Sequence, residues 1–86
     1  VDLETSSKSK ANSIYVSGSD IYVAGYYNNG SKDIACYWKD ETKVDLETSS
    51  TSKANSIYVS GSDIYVAGYY NDGTKDIACY WKMEQE

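Results

Sequence analysis

The sequence predicts an all-β protein made of two similar antiparallel sheets, each with four strands. The first observation behind this prediction is an internal repeat: residues 1–39 match residues 44–82 at a period of 43, and only positions 8, 29 and 31 differ from their copies. A period of this size is typical of stacked units that cannot bury their apolar surfaces alone. The second observation is a series of β-branched and aromatic runs bounded by Gly, Asn, Asp and Ser. Residues 1–43 and 44–86 therefore form two repeats.

Each repeat contains four short runs with the composition of strands. In the first repeat these are Val1–Leu3, Ser13–Ser17, Ile21–Tyr27 and Ile34–Lys39. Val44–Leu46, the copy of Val1–Leu3, follows across a polar turn at 40–43 and is predicted to be the fourth strand beside Ile34–Lys39. The Asn29-Gly30 pair between the second and third runs predicts a tight hairpin, since both residue types tolerate positive φ. The polar segment 47–55 is predicted to cross to the next sheet, and residues 83–86 lack the apolar spacing of a strand.

The predicted strands are apolar on both sides. Because successive side chains of a strand point to opposite faces, Ile21 and Val23 lie on one face and Tyr22 and Ala24 on the other. A sheet of this kind needs a cover on each face. Gly25 inside a strand, like its copy Gly68, indicates a β-bulge or a close approach of two backbones.

These features together resemble a known family. A small four-stranded sheet that is covered on both faces and repeated in tandem is the blade of a β-propeller. The run Ser13–Tyr26, repeated at Ser56–Tyr69 and followed each time by Ala-Cys-Tyr-Trp-Lys, resembles the repeats of tandem bacterial β-propellers over essentially the whole chain. Such proteins usually carry about six to eight blades, so the resemblance implies a propeller fragment or a two-blade building block. The near identity of the repeats fits recent amplification or deliberate engineering.

Charge and hydropathy exclude several partner classes. The chain has 8 Lys, 13 Asp plus Glu and a net charge of −5 without a basic stripe, which argues against nucleic acid. No run approaches the ~20 apolar residues that span a bilayer, and residues 1–10 lack the pattern of a signal peptide. The sequence thus predicts a soluble chain without a membrane partner, and it leaves the compartment undetermined.

Catalytic and metal sites are not predicted. The chain has no His, which removes the commonest general base and metal-binding imidazole, and no nucleophile and base stand in a known arrangement. We therefore predict no enzyme activity, no cofactor and no metal. The segment 71–76 only superficially resembles a calcium loop, and the Asn29-Gly30-Ser31 acceptor pattern for glycosylation is lost in the second repeat. Cys36 and Cys79 are predicted to be free core thiols.

Two functions remain open at this point. The first is a structural role, in which copies of the chain assemble into a closed propeller ring. The alternative is multivalent, lectin-like binding of a glycan or peptide at a rim formed by Tyr26, Tyr27, Tyr69 and Tyr70, with avidity gained from repetition.

The ring is predicted to close by head-to-tail strand exchange. Residues Val1–Leu3 copy the outer strand Val44–Leu46 and would pair with Ile77–Lys82 of the next chain. The predicted oligomer interface consists of Val1, Leu3, Ile77, Cys79 and Trp81. The sequence favours eight blades in a tetramer over six in a trimer, since Tyr22, Tyr37 and Trp38 would hold neighbouring sheets apart. Trp38 and its copy Trp81 are predicted to be buried between blades.

Overall fold

The computed structural model describes residues 2–84, and the regular structure in them is entirely β. Seven strands follow one another along the chain: β1 (Ser9–Ser17), β2 (Asp20–Asn28), β3 (Asp33–Lys39), β4 (Thr42–Glu47), β5 (Ser52–Ser60), β6 (Asp63–Asn71) and β7 (Asp76–Glu84). The predicted all-β class is confirmed.

The strands form two antiparallel sheets with neighbours in chain order. The first sheet has the order β1-β2-β3-β4 and the second the order β5-β6-β7. As predicted, Val44–Leu46 belongs to a fourth strand, which pairs with β3 of the first sheet. The boundary between the sequence repeats therefore falls inside β4, and the second sheet contains three strands in the described part of the chain.

Three strands are longer than predicted: β1 and β5 begin earlier, and β7 ends later. β1 begins at Ser9 and β5 at Ser52, so most of the polar segment 47–55 is strand and only residues 48–51 connect the sheets. β7 continues to Glu84, and Met83 pairs with Ile64. Backbone pairing to a strand that is already in place requires no apolar side chain, which is why composition underestimated these strands.

The two glycines inside strands mark a bulge, as predicted. The register between β1 and β2 shifts at Asn12, and the register between β5 and β6 shifts at Asn55. Gly25 pairs with Ala11 beside the first shift. A Cβ atom on Gly25 would collide with the backbone carbonyl of Lys10, so the close approach requires a residue without a side chain.

The turns differ in how they reverse the chain. Gly18 and Ser19 form a two-residue hairpin with positive φ at Gly18 alone, the pattern of a type II′ turn. The tight hairpin predicted at Asn29-Gly30 is instead a four-residue loop, because β3 begins only at Asp33. In this loop, Oδ1 of Asn29 accepts hydrogen bonds from the backbone N–H groups of Ser31 and Lys32, which stabilises the wider turn.

The main core lies between the two sheets. The first sheet contributes Tyr22, Ala24, Ala35 and Tyr37, and the second contributes Ala54, Ile57, Val59, Ile64 and Val66. A second, smaller cluster of Val23, Cys36 and Trp38 lies on the opposite face of the first sheet. The first sheet therefore buries apolar side chains on both faces, whereas the second sheet buries them mainly on one.

Candidate functional site

The outer face of the first sheet exposes aliphatic side chains. Ile14 is 64% exposed, and Val16 and Ile21 are similarly open to solvent. Ile14 and Ile21 line a depression of about 500 Å³, together with other residues that are mainly apolar, among them Leu3 and Val23. We call this surface, defined by Ile14, Val16, Ile21 and Val23, the aliphatic face. An exposed cluster of this kind is typical of an interaction surface.

The outer face of the second sheet exposes aromatic side chains. Tyr80 is 70% exposed, and Tyr58 is also exposed. By side-chain alternation both lie on the face of the second sheet opposite Ile57 and Val66. The ring of Tyr58 also reaches Tyr15 on the edge strand β1 of the first sheet, with 5.2 Å between the ring centroids. We call the surface around Tyr58, Tyr65 and Tyr80 the aromatic face.

These two exposed faces are sequence copies of the two faces that meet inside the chain. Ile57, the copy of Ile14, is only 5% exposed because it packs against the first sheet. Tyr37, the copy of Tyr80, is only 7% exposed because it packs against the second sheet. The chain thus carries both halves of one interface twice: once joined in its interior, and once unjoined on opposite sides.

The N-terminal segment lies against the first sheet. Leu3 packs on the cluster of Val23, Cys36 and Trp38, and the carboxylate of Glu4 forms an ion pair of 2.9 Å with the ammonium of Lys43. Hydrogen bonds from the Ser6 hydroxyl and from Lys43 lower the pKa of Glu4 to about 2. Charge pairing and apolar contact therefore hold the segment in place without a strand ladder.

The same local structure occurs one repeat later. The hydroxyl and backbone N–H of Ser6 donate to Glu4, and those of Ser49 donate to Glu47. Leu46 packs against the core between the sheets, as Leu3 packs against the first sheet. Glu47 ends β4, whereas residues 2–4 are not in a strand, and in the described residues β7 has β6 as its one strand partner.

The predicted interface residues fall in different environments. Val1 lies outside the described residues. Ile77 and Cys79 are half-buried on the edge strand β7. Leu3 is half-buried on its own first sheet. The alternation of side chains predicted two apolar faces for each sheet, but not that the aliphatic face of the first sheet and the aromatic face of the second are the two left exposed.

The two tryptophans do not share the predicted position between the sheets. Trp38 is fully buried, but under Leu3 on the opposite face of the first sheet. Trp81 contacts the core between the sheets and is only half-buried. The two tryptophans are sequence copies on the same face of their own sheets, beside Val23 and Val66. Only the second sheet turns that face towards the other sheet of the chain.

The four tyrosines of the predicted ligand rim are half-buried. The ammonium of Lys43 lies 3.4 Å from the ring centroid of Tyr27, and the ammonium of Lys53 lies 4.7 Å from that of Tyr26. Burial and a hydrogen bond to Asp45 raise the pKa of Tyr27. Two of the four rings thus have a face in contact with a lysine of the same chain, and the glycan- or peptide-binding rim stays a prediction.

The cysteines and the acidic loop have local structural roles. Cys36 and Cys79 are free thiols. Burial raises the pKa of Cys36 to about 12, which keeps this thiol protonated and unreactive at neutral pH. In the loop of the second repeat, a side-chain oxygen of Asp72 accepts hydrogen bonds from Thr74 and Lys75. Among residues 2–84, no group of three or more potential ligand side chains is arranged to hold a metal ion.

Comparisons with protein-family models, curated proteins and solved structures found no match. The resemblance to propeller blades therefore depends on the repeats themselves. Within the described part of the chain, no helix is long and apolar enough to cross a membrane.

Proposed function

We propose that the chain is a structural, self-assembling two-blade unit of a β-propeller without catalytic activity. Copies associate head to tail, and the aliphatic face of one copy covers the aromatic face of the next. The resulting oligomer is a closed ring in which both faces of every sheet are covered by a neighbouring sheet.

The observation that carries this proposal is the match between the exposed faces and the interior interface. Ile57, Val59 and Ile64 are buried by the first sheet, while their copies Ile14, Val16 and Ile21 are exposed. A surface that already packs well against an identical partner inside the chain is complementary to that partner on another copy. Since the two surfaces of the contact differ, the association is heterologous and continues until a ring closes.

Strand exchange would complete the second sheet. In the first sheet, Cys36 pairs with Asp45, and Tyr37 pairs with Val44. The equivalent pairing across copies places Asp2 beside Cys79 on β7. Leu3 would keep its contact with its own first sheet, just as Leu46 belongs to β4 and yet packs against the core between the sheets. The exchange protects a strand edge that would otherwise be available for uncontrolled pairing.

We favour a ring of eight blades from four copies over six blades from three. Tyr22 and Tyr37 both lie in the contact between the sheets, and two large rings there keep neighbouring blades apart. Trp38, which lies on the opposite face, would have the same effect at the contact between copies.

Native mass spectrometry tests the proposal. We expect one discrete species at four times the chain mass of 9.6 kDa at micromolar concentration. A trimer would contradict the preferred blade number, and a folded monomer would contradict self-assembly itself. Deletion of residues 1–4 tests strand exchange separately: it should weaken the oligomer, and an unchanged oligomer would refute the exchange.

A further inference from the structure

Polar contacts join the two sheets inside the chain in addition to the apolar core. The side-chain amide of Asn12 donates to the backbone carbonyl of Ala54 over 2.8 Å. The backbone N–H of Ala35 donates to the hydroxyl of Ser52 over 2.9 Å, and Ser52 is completely buried. These bonds are directional, so they fix how one sheet lies on the other.

A charged contact crosses the same boundary. The ammonium of Lys53 in the second sheet lies 3.8 Å from Oδ2 of Asp33 in the first sheet and 4.7 Å from the ring centroid of Tyr26. The other oxygen of Asp33 accepts a hydrogen bond of 3.1 Å from the amide of Asn28. The carboxylate is therefore oriented by its own sheet and leaves one oxygen for the lysine.

Both halves of this charged contact occur a second time without being joined. The copy of Lys53 is Lys10, which is exposed on the first sheet and has no ion pair among the described residues. The copy of Asp33 is Asp76, exposed on the second sheet, where Asn71 donates to Oδ1 over 3.1 Å. The copy of Tyr26 is Tyr69. The carboxylate of Asp76 is thus oriented in the same way as that of Asp33 and leaves its Oδ2 available for a lysine.

We propose that Lys10 of one copy binds Asp76 of the next copy and lies over its Tyr69. The partner that fits the exposed faces is then a second copy of this chain in the register of the interior interface, and the charged pair helps to select that register. This inference rests on the proposed head-to-tail assembly and adds the residues that specify it. Lys10, Asp76 and Tyr69 are identical to their copies Lys53, Asp33 and Tyr26, so none of them is a position at which the repeats differ.

A charge-exchange experiment tests the inference. Lys10→Glu places two acidic groups at every contact between copies, and Asp76→Lys places two basic groups there. Exposed ion pairs contribute modestly, so each variant alone should dissociate at a concentration on the order of ten-fold higher than the unmodified chain. The difference should shrink in 1 M salt because the charges are then screened.

An equimolar mixture of the two variants should assemble nearly as tightly as the unmodified chain. Where a Lys10→Glu copy precedes an Asp76→Lys copy, the two substituted residues face each other and the charges are exchanged. In the opposite order the native Lys10 faces the native Asp76. Opposite charges therefore face each other at every contact of an alternating ring. Native mass spectrometry of a four-copy ring should show mainly two copies of each variant, whereas a three-copy ring cannot alternate.

The interior contact supplies a matched control. Lys53→Glu alters the same contact within one chain, so it should lower thermal stability at every protein concentration without creating a preference for alternation. Circular dichroism of the dilute variants checks that the exposed substitutions leave the fold intact. If the unmodified chain assembles but the mixture is no tighter than either variant alone, the charged register is refuted and the proposed function is not. A monomeric unmodified chain would overturn both.

Discussion

Truncation of Ile14 should weaken association far more than it weakens the fold of the single chain. Ile14 is 64% exposed, and its copy Ile57 is 5% exposed in the interior interface. Assembly would therefore bury roughly three-fifths of this side chain. Complete burial of a large aliphatic side chain contributes about 1.5–3 kcal/mol, and roughly three-fifths of that applies here. Ile14→Ala should cost about 1–2 kcal/mol at each contact between copies, which corresponds to about a 5- to 30-fold weaker contact.

Sedimentation velocity over a dilution series measures this effect, and thermal unfolding of the dissociated chain provides the second readout. Ile14→Ala should move the dissociation to higher concentration and leave the unfolding of the dilute chain almost unchanged. The matched variant Ile57→Ala should instead lower the stability of the dilute chain by about 2–5 kcal/mol, since it empties a buried position. Equal effects of the two variants on the dilute chain would refute the assignment of Ile14 to a contact between copies.

Three further predictions concern single residues. Glu41 has a φ of 76°, so Glu41→Gly should stabilise the chain by about 1 kcal/mol, and a lower midpoint in thermal unfolding would contradict the turn geometry. The pKa of Glu4 is lowered from 4.5 to about 2, so the ionised carboxylate stabilises the fold fully above pH 4.5 and loses this effect as the pH falls towards 2. Glu4→Gln should remove this part of the pH dependence of the thermal unfolding midpoint, and an unchanged dependence of the midpoint on pH would exclude the ion pair. Cys79 is half-buried and Cys36 buried, so iodoacetamide should label Cys79 faster than Cys36 in dilute chains, and assembly should slow the labelling of Cys79. Equal labelling rates of Cys79 before and after assembly would argue against strand exchange over β7.

Much of the fold was predictable because it depends on local patterns. The alternation of side chains in the runs around Ile21 and Ile34 specifies strands with two apolar faces. Gly25 specifies the bulge, because a residue without a side chain allows the close approach of two backbones. The pairing of Val44 with Tyr37 was predictable from the short polar turn that connects the strands. Each of these features depends on residues that are neighbours in the chain or across one hairpin.

The positions of the exposed faces were not predictable because they depend on how the sheets stack. Ile14 and Ile57 stand in identical local sequence, yet one is exposed and the other buried, since only the second faces a sheet of the same chain. Trp38 and Trp81 differ for the same reason. The early start of β1 at Ser9 was also missed, since backbone pairing with Tyr27 leaves no signal in the polar side chains.

An experimental structure of the assembled protein tests the central claim most directly. The account predicts that Ile14, Val16 and Ile21 of each copy are buried under Tyr80 of its neighbour, in the same register as the contact between the two sheets of one chain. Two aliphatic faces packed against each other, or both outer faces left exposed to solvent, would contradict it.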